Sequence, residues 1–228
     1  PRALQRCERR SARLDQVEFT WDQAEFSKWA IRIARQGEIV WAGPPTSTGI
    51  HSFPVVLWLL AIPYAFTLDP RIATGLTALL NTLAVLGCYV LMRRWFGRAA
   101  ALTAALLYAV APWAILYSRK IWHPVLLPPF LLLYAATGWL AVARCTQRRG
   151  RRWAMIAHVL TLAIAIQIHF SAFIFIPLSV LLTFLFFRRV DWGGVLIGGA
   201  LAALTFVPYL VNDAQHNWDN IRHLAQTA

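Results

Sequence analysis

Two carboxylates near the start of the chain are the first candidates for chemistry. Asp22 and Glu25 lie three residues apart at the beginning of an amphipathic pattern. If that pattern is a helix, both side chains lie on one side of it. Such a pair can coordinate a divalent cation or accept a proton from an attacking hydroxyl or amine. The plainer interpretation is that both acids complement the helix dipole, with Asp22 as a cap.

A basic pair lies at the end of a long apolar segment. Arg119 and Lys120 follow this segment and precede Trp122 and His123. The phosphate or pyrophosphate of an anionic lipid is the natural partner of such a pair. The alternative is ordinary contact with lipid headgroups through long side chains. Arg71, which opens the first full-length apolar segment, has the same two interpretations.

Several polar residues interrupt apolar surroundings. Gln167 and His169 divide a long apolar run, where they can line a cavity, bind a headgroup or satisfy an interhelical hydrogen bond. His51 follows a loop rich in Gly and Pro, and either lines a substrate site or has a structural role. A weaker, loosely metal-like spacing occurs in Asp213, His216 and Asp219.

The composition predicts a polytopic membrane protein in contact with a lipid bilayer. The 228 residues are 58% hydrophobic and 14% charged, whereas soluble domains are about 45–50% apolar and about 25% charged. The net charge of +12 is typical of basic cytoplasmic loops, which give membrane proteins their orientation. This explanation of the charge is favoured over binding of nucleic acid.

Two short helices are predicted before the spans. Residues 22–36 repeat apolar side chains with the spacing of one helical face, and Gly37 is a suitable stop. A helix of this length is too short to cross a bilayer, so we expect it to lie along the interface. Residues 55–67 are apolar but also short, with Pro63 inside. They predict a second interfacial or re-entrant helix.

The rest of the chain predicts about six transmembrane helices. The fold class is therefore all-α: a polytopic transmembrane helical bundle with extracytoplasmic interfacial helices. The predicted spans are 72–92, 99–117, 125–143, two short spans within 153–187 that divide around 167–171, and 192–211.

Loop charge predicts the orientation of the bundle. Loops 93–98, 144–152 and 188–191 hold three, five and two basic residues. The alternating loops 118–124, 167–171 and 212–220 hold two, none and none. The first set is predicted to be cytoplasmic, which puts the candidate residues on the extracytoplasmic side.

The predicted organisation has three parts. Residues 1–71 form a first extracytoplasmic loop that begins with a basic tail, 72–211 form the bundle, and 212–228 form a further extracytoplasmic loop. Because no apolar segment brings residues 19–71 outside, we expect a transmembrane helix before residue 1. We likewise expect the protein to continue beyond residue 228.

Five motifs together resemble a known family. They are Phe19–Glu25, His51–Pro54, Arg119–Pro124, Gln167–Ala172 and Pro208–Asn220. In this order the chain, from about residue 13 onwards, resembles the GT-C glycosyltransferases. The resembling branch is the bacterial one related to dolichyl-phosphate-mannose–protein mannosyltransferases and lipid A aminoarabinose transferases.

The resemblance implies an inverting transferase of the plasma membrane. Such an enzyme moves a sugar from a polyprenyl-phosphate donor to a glycan, lipid or protein acceptor on the extracytoplasmic face. Asp22 matches the family's catalytic general base. The family motif usually reads Asp-Glu, and this chain has Asp22-Gln23, so Glu25 is the substitute for the second acid. Dependence on a divalent cation (Mg²⁺ or Mn²⁺) at Asp22 and Glu25 is left open by this departure, and no other cofactor is expected.

The remaining candidates receive roles in the same scheme. The donor phosphate would be bound by Arg71, Arg119 and Lys120, because preorganised positive groups stabilise a leaving anion. The predicted substrate-lining residues are His51, Trp122, His123, Gln167 and His169.

A non-enzymatic transporter, flippase or scaffold subunit is the competing interpretation. Transporters place ionisable residues at mid-bilayer, with broken helices and repeats. Spans 72–92, 99–117 and 192–211 contain no charged residue, which favours chemistry at the interface. His158, inside a span, is the residue that would support transport.

Overall fold

The computed structural model describes residues 19–46 and 49–227, and within these ranges the fold is all-α, as predicted. The predicted basic tail lies outside the described residues. The helices are α1 (Trp21–Gln36), α2 (Val55–Tyr64), α3 (Pro70–Val110), α4 (Pro112–Tyr117), α5 (Leu127–Trp139), α6 (Arg148–Ile168), α7 (Phe175–Leu185), α8 (Trp192–Gln215) and α9 (Asp219–Thr227). Short turns of 3₁₀ or π geometry extend some of them: His123–Leu126, Leu140–Arg144, Phe170–Ile174 and Phe187–Arg189.

Four helical segments of the described chain are long and apolar enough to cross a membrane. They are Pro70–Val110, His123–Arg144, Arg148–Ile168 and Trp192–Gln215. Two shorter apolar helices accompany them, Val55–Tyr64 and Phe170–Leu185. The sequence predicted about six spans, so the number of crossings made by the shorter pieces stays a prediction.

Helix α3 contains the predicted span 72–92 and the first part of the predicted span 99–117, and it differs from the prediction in the segment that joins them. The helix runs through residues 93–96 and changes direction at Gly97, where φ is +88° and ψ is −178°. A side chain disfavours this conformation strongly, so glycine is required. The predicted second span ends early, at Val110, because Pro112 opens a separate short helix, α4.

The two short helices, α1 and α2, pack on each other at one end of the bundle. Helix α1 ends where predicted, with Gly37 in the left-handed conformation at φ +66°. Its buried face includes Phe26 and Ala30, which join the same core cluster as Leu57 of α2. The hydroxyl of Tyr64 donates to Ser27 Oγ at 2.7 Å, which ties the two helices together.

This core cluster continues into the bundle. It includes Ile121, Val125 and Leu126 from the segment after α4, and Ile168 from the end of α6. Burying apolar side chains in one continuous cluster is the main stabilising term available to such an arrangement. The amphipathic helices are therefore fixed to the bundle at the end where α4 stops and α6 ends.

A buried acid joins two helices at the opposite end of the bundle. Asp191 caps α8 by accepting a hydrogen bond from the Gly194 amide at 2.7 Å, and it also accepts from Arg152 Nε of α6 at 3.2 Å. Helices α6 and α8 touch closely here, because a Cβ atom on Gly194 would lie 2.9 Å from the Arg152 carbonyl oxygen. Glycine and the cap together set the spacing of these two helices.

Candidate active site

The two candidate carboxylates are not equivalent. Asp22 lies exposed in the first turn of α1. The N-cap residue is Thr20, so the interpretation of Asp22 as a cap is wrong and only its interaction with the helix dipole stands. Glu25 Oε1 accepts a hydrogen bond from the Trp29 indole at 2.7 Å. The acid that stays exposed to a substrate is therefore Asp22.

Gln23 joins the acidic helix start to the basic loop. Its side chain is 1% exposed, and its Oε1 atom accepts a hydrogen bond from the Ile121 amide at 3.0 Å. This bond holds the first turn of α1 against the segment that carries Arg119 and Lys120. In the sequence, Gln23 was interpreted only as the place of a missing acid. It lies three and seven residues before Phe26 and Ala30 on the buried face of α1, and this spacing could have predicted that its side chain is buried.

The basic pair lies between this contact and a membrane-facing groove. The Lys120 ammonium lies 5.6 Å from the centre of the Tyr117 ring, and the Tyr117 ring in turn packs on Trp122. Arg119 lines one end of the groove. Arg71 is placed differently, at the exposed start of α3, where its Nε lies 4.0 Å from Asp69 Oδ1.

The groove runs between the two halves of α3 and α4. It consists of two adjoining cavities of about 390 and 290 Å³. Most of its walls are apolar, and Tyr108 lines both cavities with a buried hydroxyl that has no hydrogen-bond partner. The residues common to both cavities are Asn81, Tyr108, Ala114 and Ser118.

Three predicted substrate-lining residues come together beside α1. The rings of His123 and His169 stack with centroids 5.1 Å apart, and Phe26 packs on His123 at 5.4 Å. Gln167 is 2% exposed and lines the same small cavity as both histidines. Trp122 contacts His123 edge-on at 5.7 Å, so the predicted set is nearly continuous.

Hydrogen-bonding capacity remains unused in this cluster. Gln167 Nε2 donates to Thr205 Oγ1 at 2.7 Å, whereas Gln167 Oε1 and His123 Nδ1 are buried without a partner. The interhelical hydrogen bond considered for Gln167 therefore accounts for only one of its two polar atoms. His169 Nδ1 accepts from the Ser171 amide at 3.1 Å, and burial lowers the pKa of the His169 imidazole.

His51 lies in the wall of a different and larger cavity. Its amide donates to Asn220 Oδ1 at 2.8 Å, and the Tyr209 hydroxyl donates to its carbonyl oxygen at 3.0 Å. Asn220 is held in turn by fully buried Asp213, whose Oδ1 accepts from the Asn220 amide at 2.9 Å. Asp213 thus organises the turn between α8 and α9, a role that the loose metal-like spacing did not suggest.

The mid-span histidine has a structural environment. His158 Nδ1 lies 3.1 Å from the Tyr134 carbonyl oxygen, and its ring stacks on the Tyr134 ring with centroids 4.5 Å apart. Gly138 leaves room for it, because a Cβ there would lie 2.9 Å from the imidazole. A histidine held in this way between two helices gives no support to the transport interpretation.

The possible metal ligands of the described chain are dispersed. In the part of the chain that the structure describes, no group of three or more His, Cys, Asp or Glu side chains is arranged to hold a metal ion. Binding of a divalent cation by Asp22 and Glu25 alone stays a prediction. Glu25 would have to share its carboxylate with the Trp29 indole.

The four long apolar helices indicate a multi-pass membrane protein. Its short helices pack on one end of the bundle and carry an acid next to the residue that contacts the basic loop. The family model described as dolichyl-phosphate-mannose-protein mannosyltransferase matches residues 50–211. The chain therefore belongs to the dolichyl-phosphate-mannose-protein mannosyltransferase family. A search of curated protein sequences found no match.

Solved structures confirm the GT-C fold that the motifs indicated. ArnT from Cupriavidus metallidurans bound to undecaprenyl phosphate is similar with a TM-score of 0.69 and 18% identity. The same protein in the apo state gives a TM-score of 0.68 and 19% identity. In both comparisons the match covers 88% of this chain and 38% of the other. This chain thus spans well under half the length of those proteins.

Proposed function

We propose that the protein is a membrane glycosyltransferase that moves a sugar from a polyprenyl-phosphate donor to an acceptor, with inversion at the anomeric carbon. Membership of the mannosyltransferase family and the GT-C fold support the reaction class. One solved structure with this fold is described as bound to undecaprenyl phosphate, which supports the donor class.

One observation carries the proposal: the buried hydrogen bond between Gln23 and the Ile121 amide. Each partner is the immediate neighbour of a predicted functional residue, Asp22 on one side and Lys120 on the other. The contact therefore brings Asp22, the proposed base, and the cationic loop to the same end of the bundle. A displacement at an anomeric carbon needs both, one toward the nucleophile and one toward the leaving group.

The groove beside Arg119 suits the lipid part of the donor. Its apolar walls lie within the membrane-spanning part of α3 and along α4, where a polyprenyl chain would replace lipid tails. The guanidinium of Arg119, with Lys120 next along the chain, would hold the phosphate at the end of the groove. Charge-assisted hydrogen bonds to phosphate are the strongest polar contacts such a site can offer.

The mechanism follows from these positions. Asp22 accepts the proton of the acceptor nucleophile as that atom forms its bond to the anomeric carbon. The bond between this carbon and the phosphate oxygen breaks on the opposite face, and polyprenyl phosphate leaves with the electron pair. Arg119 and Lys120 stabilise the developing negative charge. The unpartnered atoms of His123 and Gln167 lie beside a cavity of about 10 Å³, which is the size needed for a single bridging water.

Replacement of the proposed base tests the function. In the full-length protein, reconstituted with a polyprenyl-phosphate-linked radiolabelled sugar, Asp22→Asn should lower transfer by about 10²–10⁴-fold. Donor binding and the unfolding temperature should stay close to wild type, because Asp22 is exposed. Asp22→Glu, which keeps the acid, should recover part of the activity. Unchanged turnover of Asp22→Asn would rule out its assignment as the base.

The loop charges support an extracytoplasmic site, and the plasma membrane is proposed from the family resemblance. In intact cells, a cysteine placed at Lys120 should react with a membrane-impermeant maleimide, because this residue lies in the basic-poor set of loops. Cys145, which lies among arginines in the other set, should react only after the membrane is opened. The reverse labelling pattern would contradict the orientation.

A further inference from the structure

A polar cavity lies apart from the groove and from the histidine cluster. It has a volume of about 520 Å³ and lies between the second half of α1, residues 38–42, His51 and the corner of α8 and α9. This volume is within the range of about 300–1,000 Å³ that small-molecule sites occupy. Of the predicted substrate-lining residues His51 lies in its wall, but the mechanism proposed above does not use the cavity.

Two imidazoles in its wall are fixed in the same way. His51 Nδ1 lies 2.8 Å from the Gly43 carbonyl oxygen, and His216 Nδ1 lies 2.7 Å from the Asn212 carbonyl oxygen. A carbonyl oxygen can only accept, so each Nδ1 must carry the hydrogen. In the neutral ring Nε2 then keeps a lone pair, which can accept a hydrogen bond from a ligand hydroxyl.

The charges of the wall do not suit an anionic ligand. Arg32 lines the cavity, but its guanidinium is 2.7 Å from Glu38 Oε2, which also lines the cavity. Asp219 adds a second carboxylate. The one arginine of the described wall is already in an ion pair, so a phosphate would compete with Glu38 for it, whereas neutral hydroxyl groups would meet both donors and acceptors.

An aromatic ring completes the chemistry. The Trp41 side chain is 37% exposed and lines the cavity together with the amide side chain of Asn212. A large exposed ring offers an apolar face against which the C–H face of a pyranose can pack, while its hydroxyl groups bond to the polar wall. The cavity thus combines imidazole nitrogens that can accept hydrogen bonds, an amide side chain and an indole ring. This combination suits a neutral carbohydrate.

The cavity is aligned with Asp22. Trp29, in its wall, is seven residues from Asp22 and falls on the same face of α1. Two helical turns separate them, or about 10 Å along the axis. We infer that this cavity binds the acceptor, that the acceptor is a carbohydrate chain or the carbohydrate headgroup of a lipid, and that its reactive end extends along α1 to Asp22. The acceptor role rests on the proposed glycosyltransferase function; carbohydrate binding does not.

Binding can be measured without turnover. The probes are methyl α-mannopyranoside, methyl α-glucopyranoside and methyl β-N-acetylglucosaminide, applied to the full-length Asp22→Asn protein in nanodiscs without donor. Saturation-transfer difference NMR should show contact with at least one of them. The signal should fall several-fold with Trp41→Ala and with His216→Leu, and should be unchanged with Trp153→Ala. Trp153 is 62% exposed and lies in the basic-rich part of the chain, so it controls for loss of an exposed indole.

Each outcome has a definite meaning. Failure of all three glycosides to bind, a signal that survives both Trp41→Ala and His216→Leu, or displacement of the glycoside by inorganic phosphate would each overturn the inference. His216→Leu changes an exposed side chain, so it remains informative if Trp41→Ala fails to fold. In the transfer assay, Trp41→Ala is made in the active protein that keeps Asp22. It should raise KM for the acceptor and leave KM for the donor unchanged. If Asp22→Asn loses transfer but no glycoside binds, this inference alone is rejected. If a glycoside binds but the wild-type protein has no transfer activity, the proposed function is rejected.

Discussion

The Asp191 cap at one end of the bundle and the cluster of His123 and Gln167 at the other differ in how fully their buried polar atoms are hydrogen-bonded. At the basic-rich end, Asp191 is 8% exposed and accepts hydrogen bonds from the Gly194 amide and Arg152, with Arg148 Nε 3.9 Å away. At the other end, Gln167 Oε1 and His123 Nδ1 are buried and have no partner. A buried polar atom left unsatisfied costs free energy, so its presence indicates a ligand or a water.

The other two unpartnered atoms in the described chain are Tyr108 Oη and Trp95 Nε1. Tyr108 lines the groove that Arg119 also lines. Trp95 Nε1 is the exception, since it lies at the basic-rich end among the rings of Phe96 and Trp139. Three of these four atoms thus belong to residues that line cavities. Satisfied acids fix helices here, whereas most of the unsatisfied groups belong to residues beside the proposed substrate sites.

The largest difference between the two ends should be seen with arginine substitutions. Arg119→Gln should weaken donor binding by about 10–100-fold, because a hydrogen bond to a charged group contributes about 1.5–3 kcal/mol. The matched control is Arg98→Gln, an exposed arginine at the basic-rich end, which should leave donor binding unchanged. Donor affinity can be measured by titration with polyprenyl phosphate in nanodiscs. Equal effects of the two substitutions would remove the distinction between the ends.

A second substitution tests the contact that joins helix α1 to the basic loop. Gln23→Leu should lower the free energy of unfolding by about 1–3 kcal/mol, because the buried Ile121 amide loses its acceptor. Transfer activity should fall further than stability alone explains, since Asp22 would no longer be held beside the loop. Thermal unfolding and the transfer assay at a temperature where both proteins are folded separate these effects. Gln36→Leu, at the exposed end of α1, should change neither quantity.

At the basic-rich end the expected effect concerns stability only. Asp191→Ala removes the cap of α8 and the partner of Arg152, and should lower the free energy of unfolding by about 1–2 kcal/mol. Donor binding should be unchanged, since this residue is far along the bundle from Arg119. A loss of donor affinity at full folding would show that the two ends are coupled.

The smallest expected effect is a pH dependence that belongs to the same acid. Burial alone would raise the pKa of Asp191, but the Gly194 and Arg152 hydrogen bonds and the charges of Arg152 and Arg148 outweigh it and lower the pKa below its usual range. The ionised acid therefore stabilises the fold above the unfolded pKa of about 3.9, and this stability is lost as the pH falls through the lower folded pKa. Asp191→Asn keeps a capping side chain and should flatten the dependence of the unfolding temperature on pH below about 4. A slope identical to that of the parent would contradict this assignment.

Local patterns in the sequence predicted much of this fold. The face of α1, its stop at Gly37, the short apolar helix α2 and the break between Gln167 and Ser171 all follow from periodicity and helix-ending residues, which act within one or two turns. A break within residues 93–98 was also predicted, but its reduction to the single residue Gly97 could not be recognised in this way. A basic segment with one glycine is compatible with a loop, and the structure retains helix on both sides of it.

The candidate site was only partly predictable, for a related reason. Charge and residue type pointed to Asp22, Arg119 and His169 individually. The contacts that unite them join positions far apart in the chain, as between Gln23 and Ile121, whose separation is 98 residues. The link between His51 and Asn220 spans 169 residues. No local pattern encodes such contacts, because they depend on how complete helices pack.

Gly97 has a consequence for the groove. Residues 78–86 before it and Tyr108 and Ala109 after it line the same cavity, so the two halves of α3 lie side by side and meet at this one residue. Residue 85 is twelve positions from Gly97, about 18 Å of helix. A side chain at position 97 would therefore change the width of the groove from the opposite leaflet. Under the proposed function, the fit of the polyprenyl chain would thus depend on a residue remote from Arg119 and Lys120, the proposed phosphate ligands.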